Sequence, residues 1–314
     1  MATTGDMPLS AAIDRRPPKI KASKLVREET LAALVFLLPS LVLFSAFTAL
    51  PVVSAFLISF THWDLFNPPR WVWLDNYLTL WNDPIFRKVL GNTAYYVLAA
   101  VPLQMLLGLL CALGLNRNVP GQTFFRVIYF LPVVTSTVGA GLVWAWLFNS
   151  NFGLINMALS LFGISDLPKW LVSSQWAMPA VITVSVWQGL GYAMVLFLAG
   201  LQNIRRDVYE AAAIDGATGF TRLLYITLPL LSPTTFFVLI VSIIGSFQVF
   251  ELVFVMTKAG PANATNTLVY YIYQNGFMFY QMGYASAAAM ALFLMVLVTT
   301  LVQYRLQDRW VHYD

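Results

Sequence analysis

Glu210-Ala211-Ala212-Ala213-Ile214-Asp215-Gly216, followed by Ile226-Thr227-Leu228-Pro229, is a polar interruption between two strongly apolar segments of a 314-residue chain. Its surroundings make it decisive. Apolar residues are 59% of the sequence, charged residues only 10%, and mean hydropathy is +0.71, which excludes a soluble core wrapped in a charged surface. The apolar residues run in blocks of about 20 or more, enough at about 1.5 Å per residue to cross a hydrocarbon layer about 30 Å thick. They lack the ten-residue alternation of a membrane barrel. The fold class is therefore an all-α membrane protein, and a charged helix with a glycine break inside such a chain needs something in the aqueous phase to grip it.

Windows of 19 residues place six transmembrane helices at about Leu31 to Phe60, Val89 to Leu115, Phe124 to Phe148, Trp176 to Leu201, Pro233 to Met256 and Met282 to Tyr304. With these spans, the basic residues before the first helix fall on the same side as Arg117, Arg126, Arg205, Arg206, Arg222, Arg305 and Arg309. Only Arg70, Arg87, Lys88, Lys169 and Lys258 fall on the other. The positive-inside rule then puts both termini and the Glu210 loop in the cytoplasm of a multi-pass inner-membrane protein. Residues 1–30, basic and proline-containing without apolar periodicity, read as a flexible arm. The transmembrane body is 31–314, its first helix retained and kinked where Pro39 and Pro51 remove backbone donors, and its cytoplasmic loop is 202–232.

Chemistry at membrane depth is poorly provided for. Cys111 is the only cysteine, set in an apolar block and suited to packing. His62 and His312 are the only histidines, too far apart for a metal set. Glu251 is the one acidic residue within the six spans, so neither paired carboxylates nor a Ser-His or Ser-Lys pair is available for an enzyme. A secondary solute carrier stays open as the alternative, although it would usually bury ionisable groups for ion coupling and has no use for the 210–229 element.

Within that element, Arg205 to Ile214 holds strong helix formers with Asp207 placed to cap the start, and Gly216 falls where a helix end wants positive φ. Phe220, Leu223, Leu224, Ile226 and Thr227 approximate a second helical face that Leu228-Pro229 should end. The expected product is a helix, a sharp turn and a second short helix.

The complete pattern Glu-Ala-Ala, three residues, Gly, nine residues, Ile, one residue, Leu-Pro resembles the signature loop of permease subunits of binding-protein-dependent ABC importers. Asp75-Asn76-Tyr77, Gly91-Asn92-Thr93, Phe152-Gly153 with Asn156, Ala199-Gly200-Leu201-Gln202, Phe250-Glu251, Met256-Thr257 and Gly260-Pro261 extend the likeness over nearly everything after about Trp73. It is nearest to the carbohydrate-uptake branch, which includes maltose and glycerol-phosphate importers. Ala259 stands where that family often has a first glycine before Gly-Pro.

The resemblance implies that Glu210, Ala211, Ala212, Asp215, Gly216, Ile226, Leu228 and Pro229 form a coupling helix seated in a cytoplasmic ATPase, with Glu210 paired to a basic group there. Leaving such a partly desolvated carboxylate unpaired costs roughly 2 to 5 kcal/mol. It also implies two ATPase subunits, a second, homologous permease, and an extracytoplasmic binding protein that hands over a sugar. The sequence lacks G-x-x-x-x-G-K-[ST], so this chain binds no cofactor by that loop and ATP is hydrolysed by a partner.

Polar side chains at membrane depth should face the bundle interior. Trp187, Gln188 and Tyr192 in the fourth span, with Ser246, Gln248 and Glu251 in the fifth, combine rings, amides and a carboxylate as sugar sites do. They are the substrate-path candidates, although Gln188 and Gln248 are equally suited to bonding between helices, and Gly189 and Gly191 to close packing. Outside, Trp63, Phe66, Trp71, Trp73, Tyr77, Trp170 and Trp176 read mainly as an interfacial belt, and with Asn76, Asn149, Asn151 and Asn156 as a candidate surface for the binding protein. Ala285 to Ala289 suits tight packing within the chain or against a second permease.

Overall fold

The computed structural model describes residues 24–117 and 120–311. Most of the expected N-terminal arm, and His312, lie outside the described residues, while Lys24 to Thr30 already belong to a helix. The chain forms two compact units, 1–54 and 55–314.

In the first unit, α1 (Lys24–Phe44) passes through a π turn, Ser45–Ala49, into α2 (Leu50–Ile58). Pro39 is carried inside α1 without a break, whereas the turn directly before Pro51 changes the hydrogen-bond register where that proline has no N–H to give. The stretch Glu29–Ile58 qualifies as one span, and no residue of its most apolar window is buried. A helix apolar all round and unburied within its own unit is suited to lipid or a partner.

The second unit begins with a two-residue ribbon, β1 (Thr61–His62) antiparallel to β2 (Arg70–Trp71), and a short α3 (Asp75–Asn82). Asn76 donates from Nδ2 to the carbonyls of Ser59 (2.8 Å) and Thr61 (2.9 Å), which fixes the ribbon. The long α4 (Pro84–Leu115) starts at Asp83, whose carboxylate accepts from the Ile85 N–H at 2.7 Å, with Pro84 at the first position where a missing donor costs nothing.

The expected third span, Phe124 to Phe148, is not one helix. α5 (Gln122–Val134) and α6 (Thr137–Leu147) meet at 98°. Pro132 removes a donor near the end of α5, and the exposed backbone is taken up locally. Thr135 Oγ1 donates to Pro132 O at 2.6 Å, and Ser136 Oγ caps α6 through the Gly139 N–H at 3.4 Å.

After α7 (Leu154–Leu161) comes α8 (Ala177–Asn203), the most buried span and the centre of the unit. Val181, Val184, Met194 and Phe197 of α8 are almost fully buried, as are Tyr96, Ala100 and Val101 on the facing surface of α4. The two backbones come close: a Cβ on Gly108 would lie 2.7 Å from that of Ala193.

The fifth span also departs from expectation. A segment of the 202–232 loop, α10 (Gly219–Arg222), a π turn (Leu223–Thr227) and α11 (Leu228–Leu230), meets α12 (Ser232–Phe247) at 67°. The bend sits at buried Leu231, with Ser232 Oγ donating to Pro229 O at 2.6 Å. Pro233 then occupies the first turn of α12, where proline is tolerated.

The helix stops at Phe247 rather than Met256; Gln248, Val249 and Phe250 form a break, and α13 (Glu251–Met256) is a separate element. Past α14 (Leu268–Tyr273) and a third π turn (Gln274–Met278), α15 (Met282–Gln307) closes the unit. Ala285, Ala287 and Ala288 are buried within it, so the alanine run packs inside this chain. Among the described residues four helices are long and apolar enough to cross a membrane, six if each bent pair is one span.

Candidate functional site

Two places bring the sequence candidates together. The first is a cavity of about 490 Å³ between α4, α8 and α12, at the break that precedes α13. Gln188, Tyr192, Ser246, Gln248 and Glu251 all line it, together with Phe250. Their placement follows from the two irregular spans. Because α12 ends at Phe247, Gln248 and Phe250 sit in a non-helical segment and Glu251 in the first turn of α13.

Gln188 Nε2 donates to Thr137 Oγ1 at 3.1 Å and to Thr135 O at 3.3 Å, so it ties α8 to the bend between α5 and α6 while lining the cavity. Trp187 is not brought in: its ring packs edge-on against Trp144, centroids 5.4 Å apart, and it is absent from the lining. A single residue step, about 100° around the helix, separates the lining position of Gln188 from the adjoining face that carries Trp187, which sequence spacing alone did not resolve.

Four polar lining groups were not among the sequence candidates. Tyr96 OH donates to Ser185 Oγ at 2.6 Å, Gln104 Nε2 donates to Gly189 O at 3.2 Å, and Thr137 is the partner of Gln188. Each is a polar side chain inside an apolar helix, the same signal that singled out Gln188. The two glycines are packing positions. A Cβ on Gly191 would fall 2.2 Å from Tyr129 O, and one on Gly189 2.6 Å from the Gln104 amide.

Beside the cavity, Phe250 stacks on Phe254 (5.4 Å) and meets Tyr273 edge-on (5.2 Å), which in turn stacks on Phe277 (5.8 Å). Amides and hydroxyls on one wall and aromatic faces at the other suit a solute with both hydroxyl groups and C–H surfaces.

The second place is the 205–231 element. α9 (Arg206–Ile214) starts after Arg205, and Asp207 lies inside its first turn rather than capping it. The Asp207 carboxylate instead pairs with Arg205, Nε to Oδ1 at 3.1 Å; hydrogen bonding from that guanidinium holds the carboxyl below its usual range. The end of α9 is a complete Schellman cap: Ala217 N–H donates to Ala212 O at 2.8 Å and Gly216 N–H to Ala213 O at 3.1 Å. Gly216 takes φ 83° with open space around it.

One face of α9 is seated, through buried Ala212 and through Tyr209, whose hydroxyl lies 3.4 Å from Thr227 Oγ1 and whose ring carries the Arg222 guanidinium at 5.5 Å. The other face is open. Glu210, Ala211 and Asp215 are exposed, Ile214 is 87% exposed, and Glu210 has no ion pair among the described residues. Ile226 and Leu228 are half-buried. Leu228-Pro229 does not end the second helix, because the π turn before it absorbs the missing donor of Pro229.

The loop asparagines are internally used. Asn156 is buried, donates to Ser150 O and Pro168 O, and accepts from Trp170 Nε1 at 2.8 Å; Asn149 Oδ1 accepts from the Asn151 and Phe152 N–H groups. Asn76 holds the ribbon. Trp71, Trp73 and Phe66 remain exposed.

Comparison with known proteins places the chain in a family. Residues 104–312 match the family described as binding-protein-dependent transport system inner membrane component. The probable ABC transporter permease protein YesP of Bacillus subtilis is 36% identical over 94% of this chain and 96% of its own length. The lactose transport system permease protein LacF of Rhizobium radiobacter is 34% identical over 90% and 96%. In fold, the chain superposes with a TM-score of 0.79, at 23% identity, on a chain of a bacterial alginate ABC transporter crystallised with an alginate pentasaccharide-bound periplasmic protein, covering 92% of this chain and 97% of that one. A membrane bundle that carries the signature turn on an open helix, aligned almost end to end with such relatives, belongs to the inner membrane permease components of binding-protein-dependent ABC transport systems.

Proposed function

We propose that the chain is one half of the translocation pathway of an ATP-driven importer, and that its substrate is a neutral sugar or related carbohydrate delivered by an extracytoplasmic binding protein. The cavity lining supports this reading most directly. It offers the amides of Gln104, Gln188 and Gln248, serine hydroxyls, the Glu251 carboxylate and the rings of Tyr192 and Phe250, with no lysine or arginine in the lining. A phosphorylated or carboxylated solute would call for a cation there, whereas hydroxyl groups are served by amides and a carboxylate.

In this reading α9 is the coupling helix. Glu210 pairs with a basic group of the ATPase, Ala211 permits close approach, and the Schellman turn at Gly216 aims the helix outward from its seat on Tyr209 and Ala212. Both termini lie in the cytoplasm, two ATPase subunits hydrolyse ATP, and a second, homologous permease completes the pathway. The N-terminal helix, unburied in its own unit, supplies apolar surface for lipid or that second subunit.

Reconstitution into liposomes tests the assignment. The chain with its co-encoded ATPase, second permease and sugar-loaded binding protein should take up sugar only with ATP. Gln248→Ala and Glu251→Ala should lower uptake while ATPase association is kept. ATP-independent uptake by the chain alone would make it a secondary carrier.

A further inference from the structure

A second cavity, of about 550 Å³, lies where α4 and α8 end against the coupling element. Leu113 and Leu201, in the last turns of the two spans, form its apolar edge, and the polar floor is built from Asn116, Arg117, Tyr209, Arg222 and Thr227. The lining contains two guanidinium groups and no carboxylate. Neither Arg117 nor Arg222 has an ion pair among the described residues.

Arg222 is nonetheless held in place, over the Tyr209 ring whose hydroxyl approaches Thr227. A third cation lies on the neighbouring helix: Gln122 of α5 donates to the last carbonyl of α4, Leu115 O, and Arg126, one turn further along the same face, has a buried Nε with no partner. Two guanidinium groups lining one cavity with no carboxylate favour an anion, and forked guanidinium groups match phosphate oxygens.

We propose that this cavity binds a phosphate group, and that its source is an anionic phospholipid. The position favours lipid over a free anion. The cavity opens where two long apolar helices end, the depth at which headgroup phosphates lie, and it is edged by Leu113, Leu201 and the 71% exposed Phe220. A phosphate between Arg117 and Arg222 would join the end of α4 to the helix that follows the Gly216 turn, and so steady the seat of α9. The binding itself stands on the cavity; its consequence for coupling rests on the function proposed above.

Native mass spectrometry of the full chain in detergent, titrated with dioleoylphosphatidylglycerol and separately with dioleoylphosphatidylcholine, tests the site. The anionic lipid should be retained preferentially, and Arg117→Gln/Arg222→Gln should weaken it roughly 30-fold. Arg117→Lys/Arg222→Lys should keep most of the binding, which separates charge from misfolding. Arg70→Gln/Arg87→Gln, outside the cavity, should have little effect. Equal retention of both lipids, an equal loss in the outside variant, or full displacement by millimolar inorganic phosphate would overturn the lipid site. So would loss of the lipid on ATPase docking, with Arg117→Cys then cross-linking to the ATPase. Any of these with ATP-driven uptake intact overturns this inference alone and leaves the transport assignment standing.

Discussion

Gly189 and Gly191 are two residues apart on α8 and read alike in the sequence, yet their surroundings predict different tolerance. A methyl on Gly191 meets the backbone oxygen of Tyr129, which cannot swing away, whereas on Gly189 it meets the end of the flexible Gln104 side chain. Gly191→Ala should therefore cost about 1 to 3 kcal/mol through forced separation of α5 and α8. Gly189→Ala should cost less and act mainly by displacing the Gln104 amide from the cavity wall. Thermal unfolding of the two variants in detergent orders them, and equal destabilisation would contradict the packing described. Tyr96, Gln104, Thr137 and Ser185 carry the same signal and were not singled out, whereas Gln188, Ser246 and Gln248 of the cavity were legible because a polar group at membrane depth needs a reason. The place of Trp187 outside it was not, since an aromatic ring serves packing and binding equally well.

Among the elements, the turn after α9 and the latch at the start of α4 carry the next expectations. Gly216 has φ 83° and no neighbour within reach of a Cβ, so Gly216→Ala should cost about 1 to 2 kcal/mol of backbone strain alone. The spans should be untouched and the loss should appear in ATPase docking, measured by co-purification beside unfolding.

The latch is Asp83, which accepts from Tyr271 OH at 2.5 Å and from Tyr284 OH at 2.9 Å and so ties α4 to α14 and α15. Burial works to raise its carboxyl, but those hydroxyls and the Ile85 N–H outweigh it and hold the group below its usual range. A lowered native value means that the stabilisation is present above the unfolded carboxylate range, about pH 4, and is lost as pH falls through the lowered value. Thermal unfolding of the parent chain should be flat near neutrality and decline below about pH 4. Asp83→Asn should be less stable at neutral pH and lack that part of the decline.

The signature turn was legible to the residue because Gly216 and its spacing leave a helix end few alternatives. The 98° and 67° bends were not. Hydropathy windows register only the sum of apolar residues, and whether Pro132 or Pro233 bends a span or opens one depends on side-chain partners such as Thr135, Ser136 and Ser232.

For the molecule as a whole, an unburied first helix, a cavity lined by amides, hydroxyls and rings and an α9 with an open face are the features from which the proposed assembly with other subunits is argued. The all-helical membrane fold, the order of its apolar segments and the helix and glycine turn of the 205–231 element followed from composition, periodicity and one motif. The cavity did not, since it is built at breaks in helices. The central claim is that force passes through α9, and Glu210→Ala in the assembled transporter tests it most directly, with ATPase affinity and ATP-driven uptake read at matched membrane levels. The account predicts loss of about 2 kcal/mol or more of docking energy, at least roughly tenfold weaker ATPase association and a matching fall in uptake. Unchanged association and unchanged uptake would contradict it.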